Sequence, residues 1–489
     1  MIWFYQYPNY WFSVLASLVL IIVGFRVYRI RSRESGLIGS YIEGSSRKPL
    51  RILLIHPQHR IQRHGTGVYK KYLRYAPVTM PTLAALVPKD RDVQIQVIDE
   101  MVETIDFDLE ADILGVTSIT STAPRAYEIA KHFKKKGAYT VMGGPHATLL
   151  TDEALENVDT VIRGYAETSW PQFIRDFQDQ KQKRLYEGNL SPIRDVIVSP
   201  DRRFIKRSGY VACDTVEMSR GCSKRCDFCV THHLHNAFVT KDIKQVINEI
   251  RSLPGRIVTF LDPNLIGNVA FAKEFFTELA KLNKYWAGSV SIDVLEHPEL
   301  LDLMVKSGGR GFLIGFESLD QAALDSANKS FSKVSRYADA IATLHRKGIM
   351  VQGSFVFGFD VDTRDTFDQV LDFVVRAKID LPQFTIYTPF PGTAAYTRLH
   401  KEGRILTKDW SRYNGHEVVF QPKNMSPQEL FDGVSRVWAE AYSLPSIAKR
   451  LTDPPYLLKP ITLLSNLNFR AFMRRVHIEE AGHIFRPEA

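Results

Sequence analysis

Cysteine is scarce in this chain. There are 4 in 489 residues, none before Cys213, which excludes a disulfide-stapled scaffold. Glycine at 29 and proline at 24 are too few for a collagenous or disordered chain. Neither sign of charge dominates: 63 Lys and Arg against 54 Asp and Glu leave +9 with His neutral. That moderate excess suits nucleic acid, anionic lipid or a phosphorylated cofactor, and selects none of them. No short internal repeat or low-complexity tract is present. What remains is a globular composition, long enough for two to four domains at roughly 100–200 residues each.

Long uncharged apolar runs are also lacking, with one exception. Trp11 to Phe25 carries no charge, follows an aromatic stretch (Trp3, Phe4, Tyr5, Tyr7, Tyr10) and precedes Arg26, Arg29, Arg31 and Arg33. A secretory signal would place its positive charge before the run and end in a small-residue cleavage site, and neither is found. The order instead predicts a membrane anchor over residues 1–33, with the arginines holding the rest of the chain on the cytoplasmic side. The run is shorter than the ~20 residues of an ordinary span, so it must recruit its aromatic flank, thin the bilayer or lie in the interface. A buried core helix is the alternative.

After a polar linker over 34–50 the pattern becomes strand, helix, strand. Arg51 to His56, Val93 to Asp99, Asp112 to Thr117, Ala138 to Met142 and Val158 to Arg163 read as strands and Pro124 to Lys136 as a helix, which makes a parallel sheet the economical topology for 51–185. A connector over 186–212 follows. Across 213–421 the alternation restarts, with strands at Ile257 to Leu261, Ser289 to Ile292, Gly311 to Gly315, Met350 to Phe357 and Gln383 to Tyr387. Helices at Ile243 to Ser252, Phe271 to Leu282 and Phe367 to Ala377 intervene, as expected of a whole or partial βα barrel. Residues 422–489 read as helical, and their basic stretch (Lys449, Arg450, Arg470, Arg474, Arg475) with Phe469, Phe472 and Met473 reads either as a helix packed on the barrel or as one lying on an anionic surface.

Cys222, Cys226 and Cys229 stand in GCSKRCDFC just after a predicted strand. Three thiolates on one loop can hold three corners of a [4Fe-4S] cubane and leave the fourth iron open. A zinc site completed by His232 or His233 is the competing reading. With the aromatic Phe228 before the last cysteine, the motif resembles the radical S-adenosylmethionine superfamily. That resemblance implies S-adenosyl-L-methionine chelated at the open iron, cleavage to a 5'-deoxyadenosyl radical, and a reducing electron-donor protein. It also implies cofactor contacts from polar residues at successive strand ends: Asp262 in VTFLDPN, Ser291 and Asp293 in SVSIDVL, Glu317 with Ser318 in GFLIGFES, and Ser354 in GSFVFGF. TPFPGT matches a late-barrel turn, and Cys213 is expected to pack.

The first α/β domain ends its strands in His56-Pro57, Thr117-Ser118 and Gly143-Gly144-Pro145-His146. A paired Gly lets a bulky ligand approach the backbone, and Ser and Thr offer hydroxyls. With VMGGPHAT followed by VIRGYAET, where Tyr165 replaces a common Gly, this half resembles the cobalamin-binding domain that precedes many such barrels. The D-x-H-x-x-G motif that supplies an axial histidine in other cobalamin proteins is absent. The resemblance implies cobalamin near Thr117, Ser118, Gly143, Gly144, Pro145 and His146, and a fold of anchor, Rossmann-like parallel sheet, partial TIM-type barrel and helical extension. The expected activity is methylation of an unactivated carbon, with cyclisation or rearrangement as the alternative. The anchor points to a lipid or isoprenoid substrate at the bilayer, or a hydrophobic tetrapyrrole. Transfer-RNA methylthiolation is disfavoured, because its enzymes carry further cysteines in the first domain; a zinc-holding membrane scaffold is the non-catalytic alternative.

Overall fold

The computed structural model describes residues 38–40, 48–59, 75–188, 198–210, 212–234, 238–452 and 458–480. The expected anchor over 1–33 lies outside them. Among the described residues no helix is long and apolar enough to cross a membrane.

The first domain is a seven-stranded sheet: β1 Ile38–Ser40, β2 Leu50–His56, β3 Val93–Asp99, β4 Ile113–Thr117, β5 Tyr139–Gly143, β6 Thr160–Gly164 and β7 Leu185–Gly188, in the spatial order β1-β3-β2-β4-β5-β6-β7. All pairs are parallel except β1 with β3, so part of the expected linker serves as an antiparallel edge strand. Successive side chains of a strand point to opposite faces, and here both faces are covered. Leu53 and Ile55 join Leu114, Val116 and Phe133 under the helix Ala123–Lys135, while Ile52 and Leu54 join Val141, Trp170 and Phe173 under the helix Ala166–Gln178. That two-sided burial explains the unbroken apolar run in β2. Because β3 and β4 lie on opposite sides of β2, the chain direction switches there, and the crevice beyond the strands' carboxyl ends is where such sheets take ligands.

The second domain is a six-stranded parallel sheet of β8 Thr215–Val216, β11 Ile257–Phe260, β12 Tyr285–Ser289, β13 Gly309–Glu317, β14 Met350–Phe357 and β15 Leu381–Ile386, adjacent in chain order and joined by helices. It does not close, so β8 and β15 are edges. A short ribbon, β9 Ser219–Arg220 with β10 Val239–Thr240, brackets the cysteine loop. The strand expected at Ser289 to Ile292 ends at Ser289, and Ile292–Glu296 forms a 3-10 turn. Gly288 fits because a Cβ there would lie 2.7 Å from Leu265 Cδ1 and 3.0 Å from Phe260 Cβ.

Both edges are covered. Beside β8 runs the first domain's segment at Tyr75, where the Ala76 amide donates to the Ala212 carbonyl at 2.9 Å and Thr215 Oγ1 donates to the Ala76 carbonyl at 2.8 Å. On β15 lies the helix Pro427–Ala441, whose Trp438 Nε1 donates to the Phe384 carbonyl at 2.9 Å. Arg450 is buried and donates to the carbonyls of Ile379, Asp380 and Ala441 and to Asn466 Oδ1. Arg470 donates to the Tyr442 carbonyl and Phe469 is fully buried. The surface-binding alternative for these three residues is therefore corrected: they bind the helix Lys459–Glu480 to the barrel.

Candidate active site

The cysteine loop starts from a braced strand. Asp262, just past β11 and fully buried, accepts from the Met218 amide at 3.1 Å, the Ser219 amide at 2.6 Å and Ser219 Oγ at 2.6 Å. Burial pushes its carboxyl up to about 7 against these hydrogen bonds. Gly221 then turns the chain at a φ of +84°, and Cys222, Cys226 and Cys229 follow, all buried and free of disulfides. Burial pushes the Cys222 thiol up to about 11 and that of Cys226 up to about 12, so these sulfurs become thiolates only when a metal supplies the compensating charge. Phe228 packs edge-on to Phe359 and Tyr387 at 6.3 and 6.0 Å. Asp262 thus braces the strand that leads into the loop, and Phe228 packs the loop against the aromatic residues beyond the barrel strands.

Among the described residues no three His, Cys, Asp or Glu side chains stand close enough to hold one ion. His232 and His233 face each other with ring centroids 3.8 Å apart, and burial lowers His232 to about 4. A cubane places its irons at separate corners, so three buried thiols that, among the described residues, converge with no histidine or carboxylate on one point fit it better than they fit a mononuclear zinc.

Beyond the loop, polar atoms line the strand ends. A small cavity is walled by Ser289, Ser291, Gly315, Glu317 and Lys329. Glu317 has a φ of +66°, rare for a non-glycine residue. It is fully buried and pairs with Lys329 Nζ at 2.9 Å; burial opposes its charge, but Lys329 holds it below the usual carboxylate range. Asp293 accepts from Lys224 Nζ of the cysteine loop at 2.6 Å and from Ser291 Oγ, so it ties loop to barrel. Ser354 is buried on β14 and its hydroxyl has no partner, as is true of Ser289 Oγ and Asn264 Nδ2. Buried polar atoms are seldom left unpaired, and these point to a polar ligand. Asn264 and Ser289 were not singled out in the sequence, although Asn264 sits two residues after Asp262 in the same motif.

In the first domain a cavity of about 250 Å³ opens at the topological switch, lined by His56, Thr117, Ser118, Gly143, Gly144, Pro145 and Tyr165, with apolar walls from Leu83, Leu86 and Trp170. Gly144 is required: at a φ of +93° its Cβ would lie 2.5 Å from Thr117 Oγ1 and 2.9 Å from the Ser118 carbonyl oxygen. Ser118 Oγ is buried without a partner. Apolar walls, a close backbone approach and a waiting hydroxyl fit a broad ring such as a corrin. His146 is the exception. The helix Pro145–Leu149 turns it away from the cavity, and its Nε2 contacts Tyr127 Oη at 3.1 Å and Glu153 Oε1 at 3.2 Å. Trp410 of the second domain donates to the same Glu153 at 2.9 Å. His146 is thus corrected from a ligand contact to part of the seam between domains. The barrel side of the cavity is closed by Glu217, Arg220 and Leu261.

A cobalamin-binding-type sheet whose cavity abuts a three-cysteine βα barrel defines the class, a radical S-adenosylmethionine enzyme. Residues 216–374 match the Radical SAM superfamily and residues 79–174 the B12 binding domain. The chain is 31% identical over 393 residues to bacteriochlorophyllide d C-12(1)-methyltransferase of Chlorobaculum tepidum, covering 78% of this chain and 85% of that one. To the same organism's bacteriochlorophyllide d C-8(2)-methyltransferase it is 28% identical over 433 residues, 84% and 95% of the two chains. In fold it is similar to the radical S-adenosylmethionine methyltransferase TsrM from Kitasatospora setae, solved with cobalamin and a [4Fe-4S] cluster, at a TM-score of 0.65 and 14% identity over 89% of this chain and 100% of that one. The chain belongs to the cobalamin-dependent radical S-adenosylmethionine methyltransferase family, and its cofactors are a [4Fe-4S] cluster, S-adenosylmethionine and cobalamin. Together these supply a radical that activates a carbon and a methyl group to deliver to it; the chain's residues seat the two cofactors and keep water from the seam.

Proposed function

We propose that the chain methylates an unactivated carbon of a hydrophobic, membrane-associated small molecule, with Cys222, Cys226 and Cys229 holding the cluster, Ser291, Glu317 and Ser354 meeting S-adenosylmethionine, and Thr117, Ser118 and Gly144 seating cobalamin. The observation that carries this reading is the shared wall. Glu217 and Arg220, just upstream of Cys222, line the cavity of the other domain, so the cysteine loop starts from that cavity's wall. The two Chlorobaculum relatives, named for methyl transfer to bacteriochlorophyllide d, favour a tetrapyrrole within this substrate class; a lipid or isoprenoid is the second choice. The apolar run Trp11 to Phe25 with its trailing arginines supports attachment to the membrane from the cytoplasmic side, and an electron-donor protein supplies the reducing equivalent.

The test is anaerobic incubation of the reduced holoenzyme with S-adenosylmethionine labelled in its methyl group and with membranes of its host. Label in an organic-extractable product one CH2 heavier than its precursor is the expected result. Label confined to water-soluble products would overturn the substrate class, and a product with a new ring and no label would favour cyclisation.

A further inference from the structure

Arg220 lies two residues before Cys222 on β9, and its side chain leaves the barrel. The guanidinium binds Glu167 in the first turn of Ala166–Gln178, its Nε stands 3.5 Å from Glu217 Oε2, and its central carbon sits 5.3 Å from the centre of the Tyr165 ring. Glu217 is in turn 3.7 Å from Lys241 Nζ. The side chains of Arg220, Glu167, Lys241 and Glu217 are 14%, 3%, 5% and 22% exposed. Two cations and two anions are therefore withdrawn from water along one seam. A well-packed apolar seam would often be as stable or more so, so such a seam is weak evidence for stability; its best-attested use is to specify register.

The position of this seam gives it meaning. Tyr165, Glu167, Glu217 and Arg220 all line the cobalamin-domain cavity. On the other side of the same strand, Asp262 fixes the Met218 and Ser219 amides to the barrel. The stretch leading into the cysteine loop is thus held between the barrel and the cavity wall, and Arg220 is its link to the wall. Tyr165 presents the ring against which that link rests.

We propose that Arg220 and Glu167 are a positioning pair that sets the register of the cluster-bearing loop over the cobalamin cavity, so that what occupies the cavity is sensed at the cluster. This rests on the two-cofactor reading, but its test does not use turnover. Holoenzyme is reconstituted with iron and sulfide, and the electron paramagnetic resonance signal of the reduced cluster is recorded with and without cobalamin in excess titanium(III) citrate, which keeps the cluster reduced and the cobalt in its diamagnetic cobalt(I) state, beside a separate absorbance titration of hydroxocobalamin binding to the oxidised enzyme. The variants are Arg220→Met, Arg220→Lys and Glu167→Gln. In the unsubstituted enzyme the cluster signal should change when cobalamin binds. Glu167→Gln, which is nearly isosteric and distant in sequence from the loop, should keep full iron content, lose that change and bind cobalamin roughly ten- to a hundred-fold more weakly. Arg220→Met should do the same, and Arg220→Lys should restore part of it.

A cluster signal indifferent to cobalamin in the unsubstituted enzyme would overturn the proposal, as would a Glu167→Gln enzyme with unchanged coupling and affinity. Loss of iron from Glu167→Gln would also contradict it, since the pair would then be holding the fold rather than its register. Failure to find a methylated product would leave these results intact and count only against the proposed substrate.

Discussion

The two adjacent glycines of the cobalamin domain make opposite demands. Gly144 sits at a φ of +93°, and an added Cβ would stand 2.5 Å from Thr117 Oγ1, 2.9 Å from the Ser118 carbonyl oxygen and 3.0 Å from the Ser118 amide nitrogen. Two of those three atoms are backbone and cannot rotate aside. Gly144→Ala therefore carries a cost of about 1–3 kcal/mol for its essentially glycine-only backbone conformation and an overpacking cost of about 1–3 kcal/mol, together roughly 2–6 kcal/mol at the mouth of the cavity. Against a total stability of about 5–15 kcal/mol, the domain should survive with its strand ends displaced. At Gly143 the nearest atom to an added Cβ is the Ile162 carbonyl oxygen at 3.5 Å, an ordinary contact, so Gly143→Ala should change stability by less than about 1 kcal/mol. The assay is cobalamin titration by absorbance with a thermal melt. Gly144→Ala should lose cobalamin while retaining cluster iron, and Gly143→Ala should retain both. Equal behaviour of the two variants, in either direction, would refute the reasoning.

Ser354→Ala removes a buried hydroxyl without a partner; the ligand-free enzyme should melt no lower, and rise by about 1 kcal/mol of stability at most, while S-adenosylmethionine binds more weakly by isothermal titration. Lys329→Met removes the cation that pairs with the buried Glu317 carboxylate at 2.9 Å, a loss of about 3–5 kcal/mol visible in denaturant unfolding. Because Glu317 is held below its ordinary value in the fold, the stability it contributes is present above its unfolded value and lost as pH falls through the folded one. Asp262 has the opposite sign: raised from 3.8 to about 7, it contributes stability fully present below its unfolded value and lost as pH rises through its folded one. Asp262→Asn should flatten the fall in melting temperature across that window, and an unchanged pH profile would contradict the assignment.

Much of the fold was legible because local pattern and tertiary burial agree. The helix Ile243–Ser252 and the strand Met350–Phe357 fall where the pattern placed them, since each is an amphipathic or fully buried run with clear stops. The strand at Tyr285–Ser289 was misplaced because Ala287 and Gly288 weaken its pattern while the β-branched residues after it lie in a turn. That Cys222, Cys226 and Cys229 stand together on one loop was legible from their spacing, and the structure buries all three. Which polar groups at the strand ends already have partners was not: Asp262 turns to the amides of Met218 and Ser219, while Asn264, two residues on, keeps a free amide. Contacts distant in sequence left no local signal. Trp410 meets Glu153 across 257 residues and Arg220 meets Glu167 across 53, and both pairings depend on how two independently legible domains face each other.

The central claim, that two domains of one chain hold two different cofactors across a common wall, is tested most directly by metal content. Protein purified and reconstituted without oxygen should carry about four irons, as one cubane requires, and one equivalent of cobalt, while Cys226→Ala should lose the iron and keep the cobalt. Zinc in place of iron, no cobalt, or iron that persists in Cys226→Ala would contradict it.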